Sequence, residues 1–171
     1  DMLILSREAL VRIARHAWHV YPQEAFGYLL GTPDAASIHA ALPCSRTHDW
    51  QTRADRWNGI EPHLPAAEAT AAEFGLAVVG LYRSCSDWLP PSPERLDPLS
   101  NSTRLLLVYR TICCKSCSNY RLFRGDTPLD PRSDYAIPAG RRAEPQLNGR
   151  RIHQAWRRRI GPIDYDNHDT S

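Results

Sequence analysis

An arginine and a thiol, Arg83 and Cys85, stand one residue apart in the stretch LYRSCSDWLPPSPERLD (81–97), where an apolar run gives way to a proline-rich one. A cation beside a thiol stabilises the thiolate and lowers the cysteine pKa. Arg83, two residues away, is one candidate cation, and Arg95, from the loop, is a second. A nucleophilic cysteine also wants a base. Glu24, in PQEAFGYLLG (22–31), is the candidate, and no histidine is obviously placed for the task. The plain alternative is a small buried thiol at a strand end.

More thiols follow in CCKSC (113–117). The Cys114-x-x-Cys117 spacing is that of a zinc or redox pair, with Cys113 adjoining it. A tetrahedral zinc site needs four ligands, so Cys85, Cys44 or a tail histidine must complete it. Such a zinc would be structural. Otherwise the stretch is a hairpin turn with free thiols. The histidines, at 16, 19, 39, 48, 63, 153 and 168, form neither His-x-His nor His-Glu-x-x-His. His16 and His19 flank Trp18 and read as helix-surface residues. His48 follows a hairpin and could line a groove.

The elements that position these groups are readable from periodicity. Residues 3–5 suggest a short strand. Ser6 is a good N-cap, and Leu10, Ile13, Ala14, Ala17 and Trp18 follow the spacing of a helix with one buried face. Residues 24–31 and 37–44 read as two strands of a hairpin around the turn Thr32-Pro33-Asp34. Residues 64–75 read as a helix closing on Gly75. Residues 76–82 read as a central strand, apolar and β-branched, and 83–102 as loop. Residues 103–114 and 118–125 read as two further strands. Beyond about 127 the periodicity weakens, although Ile152, Trp156 and Ile160 fit one edge of a short helix over 150–160. The order β–α–β–β–α–β–loop–β–β predicts a mixed sheet sandwiched with two to three helices, an α/β architecture. Residues 1–127 are expected to form the domain, and 128–171 a basic C-terminal extension.

At 171 residues the chain is most simply one domain with one core. The net charge of +2 gives no general case for nucleic acid or membrane binding. Arginines at 141, 142, 150, 151, 157, 158 and 159 crowd the last quarter, with Trp156 among them as a stacking option for a base. The plainer reading is a solvated helix packed at one edge. No stretch approaches the roughly 18–20 apolar residues of a membrane span. The start lacks the basic and apolar regions of a signal peptide, so a cytoplasmic location and free thiols are expected for the five cysteines.

Together, PQEAFGYLLG and, some fifty residues later, VVGLYRSCSDWLPPSPERL resemble the JAMM/MPN metalloprotease family, in particular its small prokaryotic branch, which acts on ubiquitin-like sulfur-carrier proteins. The resemblance covers roughly residues 3–125. It implies an MPN-like fold. It also implies a zinc site of two histidines and an aspartate, drawn from a His-Ser/Thr-His-Pro strand end and a following Ser-x-x-Asp loop. An early glutamate would be the general base and the loop serine an oxyanion donor. Three protein ligands leave zinc an open position for water.

By that resemblance Glu24 falls on the base, Gly27 and Gly31 on the strand glycines, Ser84 on the middle serine and Ser92 on the loop serine. Arg83 and Cys85 replace the two histidines and Ser86 the proline, while Arg95 stands where the aspartate belongs. Arginine does not deprotonate and does not bind zinc. Three readings follow. In the first, the site is metal-free, Arg83 neutralises Glu24, and the protein binds the tail of a sulfur-carrier or ubiquitin-like partner beside Glu24, Ser84, Cys85 and Ser92, with Arg95 and His48 also lining the groove. In the second, it is an active enzyme. That enzyme is either a zinc hydrolase rebuilt around Cys85 and Asp97, or a Cys85-dependent sulfur or acyl transferase. In the third, it is a structural subunit, dimerising with itself or with an active relative.

Overall fold

A computed structural model describes residues 2–44, 63–85, 105–111, 119–125, 127–133, 149–161 and 163. Among them are eight strands and three helices. The order is β1 (Ile4–Leu5), α1 (Arg7–Val20), β2 (Phe26–Gly31), β3 (Ser37–Cys44), α2 (Leu64–Glu73), β4 (Ala77–Cys85), β5 (Leu105–Arg110), β6 (Tyr120–Arg124), β7 (Thr127–Leu129), β8 (Arg132–Ser133) and α3 (Gly149–Ile160). One sheet takes them in the order β7-β6-β5-β4-β2-β3-β1-β8. The pairs β1–β3, β1–β8 and β4–β5 are parallel, and the rest are antiparallel. This is the expected single-domain mixed sheet with helices packed on it.

Helices cover both faces, which is why the inner strands are apolar at every position rather than at alternate ones. All six residues of β2 are buried. On one face α1 presses Leu10, Ile13, Ala14 and Ala17 onto Leu29, Ile38, Val79, Leu105 and Leu107. On the other, Ala67 and Ala71 of α2 and Ile152 and Trp156 of α3 pack on Phe26, Tyr28, Leu42, Leu81 and Leu106.

Local chemistry sets the helix ends. Ser6 caps α1, its hydroxyl accepting from the Ala9 N–H and its carbonyl from Leu10. α2 starts with a proline in its first turn, where no N–H is missed. It stops before Gly75, whose φ of 70° suits glycine, as Leu76 N–H folds back to the Ala71 carbonyl.

Several expectations change. β4 does not end at Tyr82. It runs through Arg83, Ser84 and Cys85, because β2 pairs with it at Phe26–Arg83 and β5 pairs with it as far as Cys85–Arg110. The two strands read over 103–114 and 118–125 are present as Leu105–Arg110 and Tyr120–Arg124, and residues 103–104, 112–114 and 118 lie outside the described ones. His16 is not on the helix surface. It stands three residues after Ile13 and faces the sheet, 2% exposed, whereas His19 is exposed. Trp156 is fully buried, so it offers no face to a base. The chain beyond residue 127 contributes two strands and α3 to this sheet and core. None of the described helices is long and apolar enough to cross a membrane.

Candidate functional site

The site is built where β2 begins and β4 ends. Phe26 is in antiparallel register with Arg83. One step further out, the Ser84 N–H donates to the Ala25 carbonyl at 3.0 Å. The return bond is unusual. The Ala25 N–H goes to the Ser84 hydroxyl, at 2.7 Å. Ser84 thus closes the ladder with its side chain and fixes the segment that carries Glu24.

Strand alternation then sorts the side chains by face. Ala25 and Tyr82 belong to the cluster under α1. Phe26, Leu81 and Cys85 belong to the cluster under α2 and α3. Arg83, between Leu81 and Cys85, therefore lies on the α2/α3 face. Ser84, 1% exposed, lies on the other. Glu24 stands two residues before Phe26, just outside β2, and a chain extended past the Ala25–Ser84 bonds would run across from Cys85 and diagonal to Arg83. Diagonal neighbours are roughly 7–8 Å apart, within reach of long side chains.

Arg83 and Cys85 share one face, and Ser84, on the other, ties down the segment that carries Glu24 through its N–H and its hydroxyl. Arg83 is only 8% exposed and Cys85 6%. One Glu24 carboxylate oxygen and the Arg83 Nε are shielded from solvent. His48, Ser92, Arg95, Asp97, Cys113, Cys114 and Cys117 lie outside the described residues.

Gly27 belongs to this architecture. A Cβ there would collide with the Leu42 carbonyl and with the Tyr82 ring. The bare glycine lets that ring lie on β2, where its hydroxyl reaches His16 Nδ1 at 2.7 Å. Burial, helped by the neighbouring His19 charge, pushes the His16 pKa down to about 3. His16 is thus a neutral structural partner of Tyr82.

Two residues beside the site carried no sequence signal. Arg110 is in register with Cys85. Thr111 holds the Cys85 carbonyl with its N–H at 2.9 Å and its hydroxyl at 3.3 Å. A charge and a threonine at a strand end look like a solvated edge until the partner strand is known.

The donor set does not fit the zinc site that the resemblance implies. A guanidinium offers no lone pair where the first histidine would stand. Cys85 and Glu24 are two donors at the described end of β4, and a tetrahedral protein site takes three or four. Among the described residues no group of three or more His, Cys, Asp or Glu is placed to hold a metal ion. Elsewhere in the core, burial raises the pKa of the Cys44 thiol.

No family model and no curated protein matches the chain. Solved structures do. A protein from Desulfitobacterium hafniense is 17% identical with a TM-score of 0.54, covering 77% of this chain and 91% of that one. A JAB1/MPN domain protein from Archaeoglobus fulgidus is 14% identical with a TM-score of 0.48, covering 77% and 98%. A third, described as JAMM, a metalloprotease-like zinc site in the proteasome and signalosome, is 13% identical with a TM-score of 0.47, covering 78% and 98%. At 17% identity the likeness to the Desulfitobacterium hafniense protein is one of fold.

Proposed function

We propose that this chain is a JAMM-like protein whose zinc-ligand positions have passed to a cation and a thiol, and that it binds the C-terminal tail of a sulfur-carrier or other ubiquitin-like protein without cutting it. The observation that carries this reading is the β2–β4 register. The segment that carries Glu24 and the Arg83–Cys85 strand end, the two halves of the resembled motif, are tied together through Ala25 and Ser84. Arg83 is placed to supply the counter-charge that a metal would otherwise give Glu24, through charge-assisted hydrogen bonds. The sulfur-transfer or biosynthetic setting and the cytoplasmic location belong to the same proposal.

The test is calorimetric titration with a short peptide ending in Gly-Gly, using wild type and Cys85→Ala, each with and without a chelator. Binding that survives both changes supports a metal-free binding protein. Binding or turnover lost with Cys85→Ala but indifferent to chelator would replace it with a thiol transferase. Hydrolysis lost to chelator and to Glu24→Gln would replace it with a rebuilt zinc enzyme. No interaction in any arm would sink the tail-binding reading.

A further inference from the structure

A second arginine stands beside Cys85 on the same face. β4 and β5 run parallel with Cys85 opposite Arg110 and Arg83 opposite Val108. Residues paired in a ladder share a face, and adjacent strands are about 4.8 Å apart. Arg110 is therefore the neighbour of Cys85 on the β5 side. Arg83 lies one step inward, diagonal to Arg110 and flanked by Phe26 and Val108. The Nε atoms of both arginines are shielded from solvent.

This end of β5 is fixed in place. The Arg110 N–H donates to the Asn119 carbonyl at 2.7 Å, and Thr111 ties the next residue to Cys85. Both arginines are thus carried on paired strand backbone, which limits how far they can shift relative to each other. Each guanidinium presents a planar fork of N–H donors that matches a carboxylate through two parallel bonds. Glu24 already supplies one negative charge. Among the described residues here, two arginines and one glutamate leave a single positive charge, which suits a monoanion better than a doubly charged phosphate.

We infer that Arg83 and Arg110 form a carboxylate clamp for the free C-terminus of a bound peptide tail, with Arg110 setting the specificity for that end group. This rests on the tail-binding reading and adds the chemical group that the site recognises. Arg83 has a second duty, toward Glu24. Arg110 is the residue whose role is to read the ligand's end.

The test titrates two Gly-Gly peptides of one sequence, one with a free carboxylate and one with a C-terminal amide, into wild type, Arg110→Gln and Arg110→Lys. Circular dichroism melts establish that each variant is folded. Hydrogen bonds between charged partners make the expected preference of wild type for the acid roughly ten- to hundredfold. Arg110→Gln should bind both peptides alike, and Arg110→Lys should keep part of the preference, retaining charge but losing the fork. Equal affinity of wild type for acid and amide overturns the clamp and leaves tail binding standing. A preference unchanged in Arg110→Gln overturns it equally. Failure of both peptides to bind folded wild type overturns the clamp together with the reading beneath it.

Discussion

The Trp156 indole N–H donates to the Pro43 carbonyl at 2.7 Å, joining the last helix to β3 across 113 residues of sequence. The ring is fully buried and stands edge-on to Tyr28, with centroids 6.0 Å apart. Arg159 adds a bond to Glu73 of α2 at 2.8 Å, but both side chains are well exposed and the pair contributes little. The helix is thus held by its apolar edge and by the buried Trp156 hydrogen bond. Trp156→Phe should cost about 1–2 kcal/mol, because the Pro43 carbonyl is left buried without its donor. Trp156→Ala should cost about 3–5 kcal/mol by opening a cavity as well. Denaturant unfolding checks both. A loss below about 1 kcal/mol for the alanine variant would show that α3 is dispensable to the core.

Ser84 closes the β2–β4 ladder with a side chain where a carbonyl would ordinarily serve. Ser84→Ala removes the only acceptor described for the Ala25 N–H, in a buried place. The expected loss is about 1–3 kcal/mol of stability. Because Ala25 precedes β2 and follows Glu24, tail binding should weaken as well. Ser84→Thr keeps the hydroxyl and should lose less on both measures. Equal behaviour of the alanine and threonine variants would refute the tie.

Much of this architecture was legible in the sequence because its strongest signals are local. Ser6, the apolar spacing of α1 and the unbroken apolar runs of β2 and β4 each report the structure they adopt. The end of β4 was not legible. Arg83 and Ser84 break the apolar run, and only Phe26, Val108 and Arg110, on other segments, show that the strand continues. Arg110 was missed for the same reason. β7 and β8 span three and two residues, too short for any period to register. His16 was different. It stands i+3 from Ile13, and that spacing alone pointed inward. A histidine beside Trp18 nevertheless has the polarity of a surface residue, and the Tyr82 hydroxyl on β4 is what satisfies it inside.

The buried His16 gives the fold a defined pH dependence. Its folded pKa of about 3 lies below the value near 6.5 that it has when unfolded. Between those limits the unfolded chain takes up a proton that the folded chain refuses. The stability contribution is therefore full above about pH 6.5 and declines as pH falls toward 3, by at most about 1.4 kcal/mol per unit. His16→Gln removes this proton. The variant should start less stable at pH 7 and lose stability more slowly between pH 7 and pH 5. Unfolding free energies at several pH values check it, and parallel slopes for the two proteins would rule His16 out as the source.

The proposed Glu24–Arg83 pair is open to a double-mutant cycle. Arg83 is buried on strand β4 opposite Phe26, and Glu24 stands two residues before Phe26. If the arginine neutralises the carboxylate, Arg83→Met leaves a partly buried charge without its partner. That should cost about 1–3 kcal/mol, below the range for a fully buried pair because Glu24 is partly exposed. Adding Glu24→Gln to Arg83→Met should recover part of the loss, since the stranded charge is then gone. The coupling energy, read from denaturant unfolding of wild type, both single variants and the double variant, should be about 1 kcal/mol or more. Strictly additive losses would mean that the two charges do not sense each other. The cation at the end of β4 would then have to be explained by what it binds from outside.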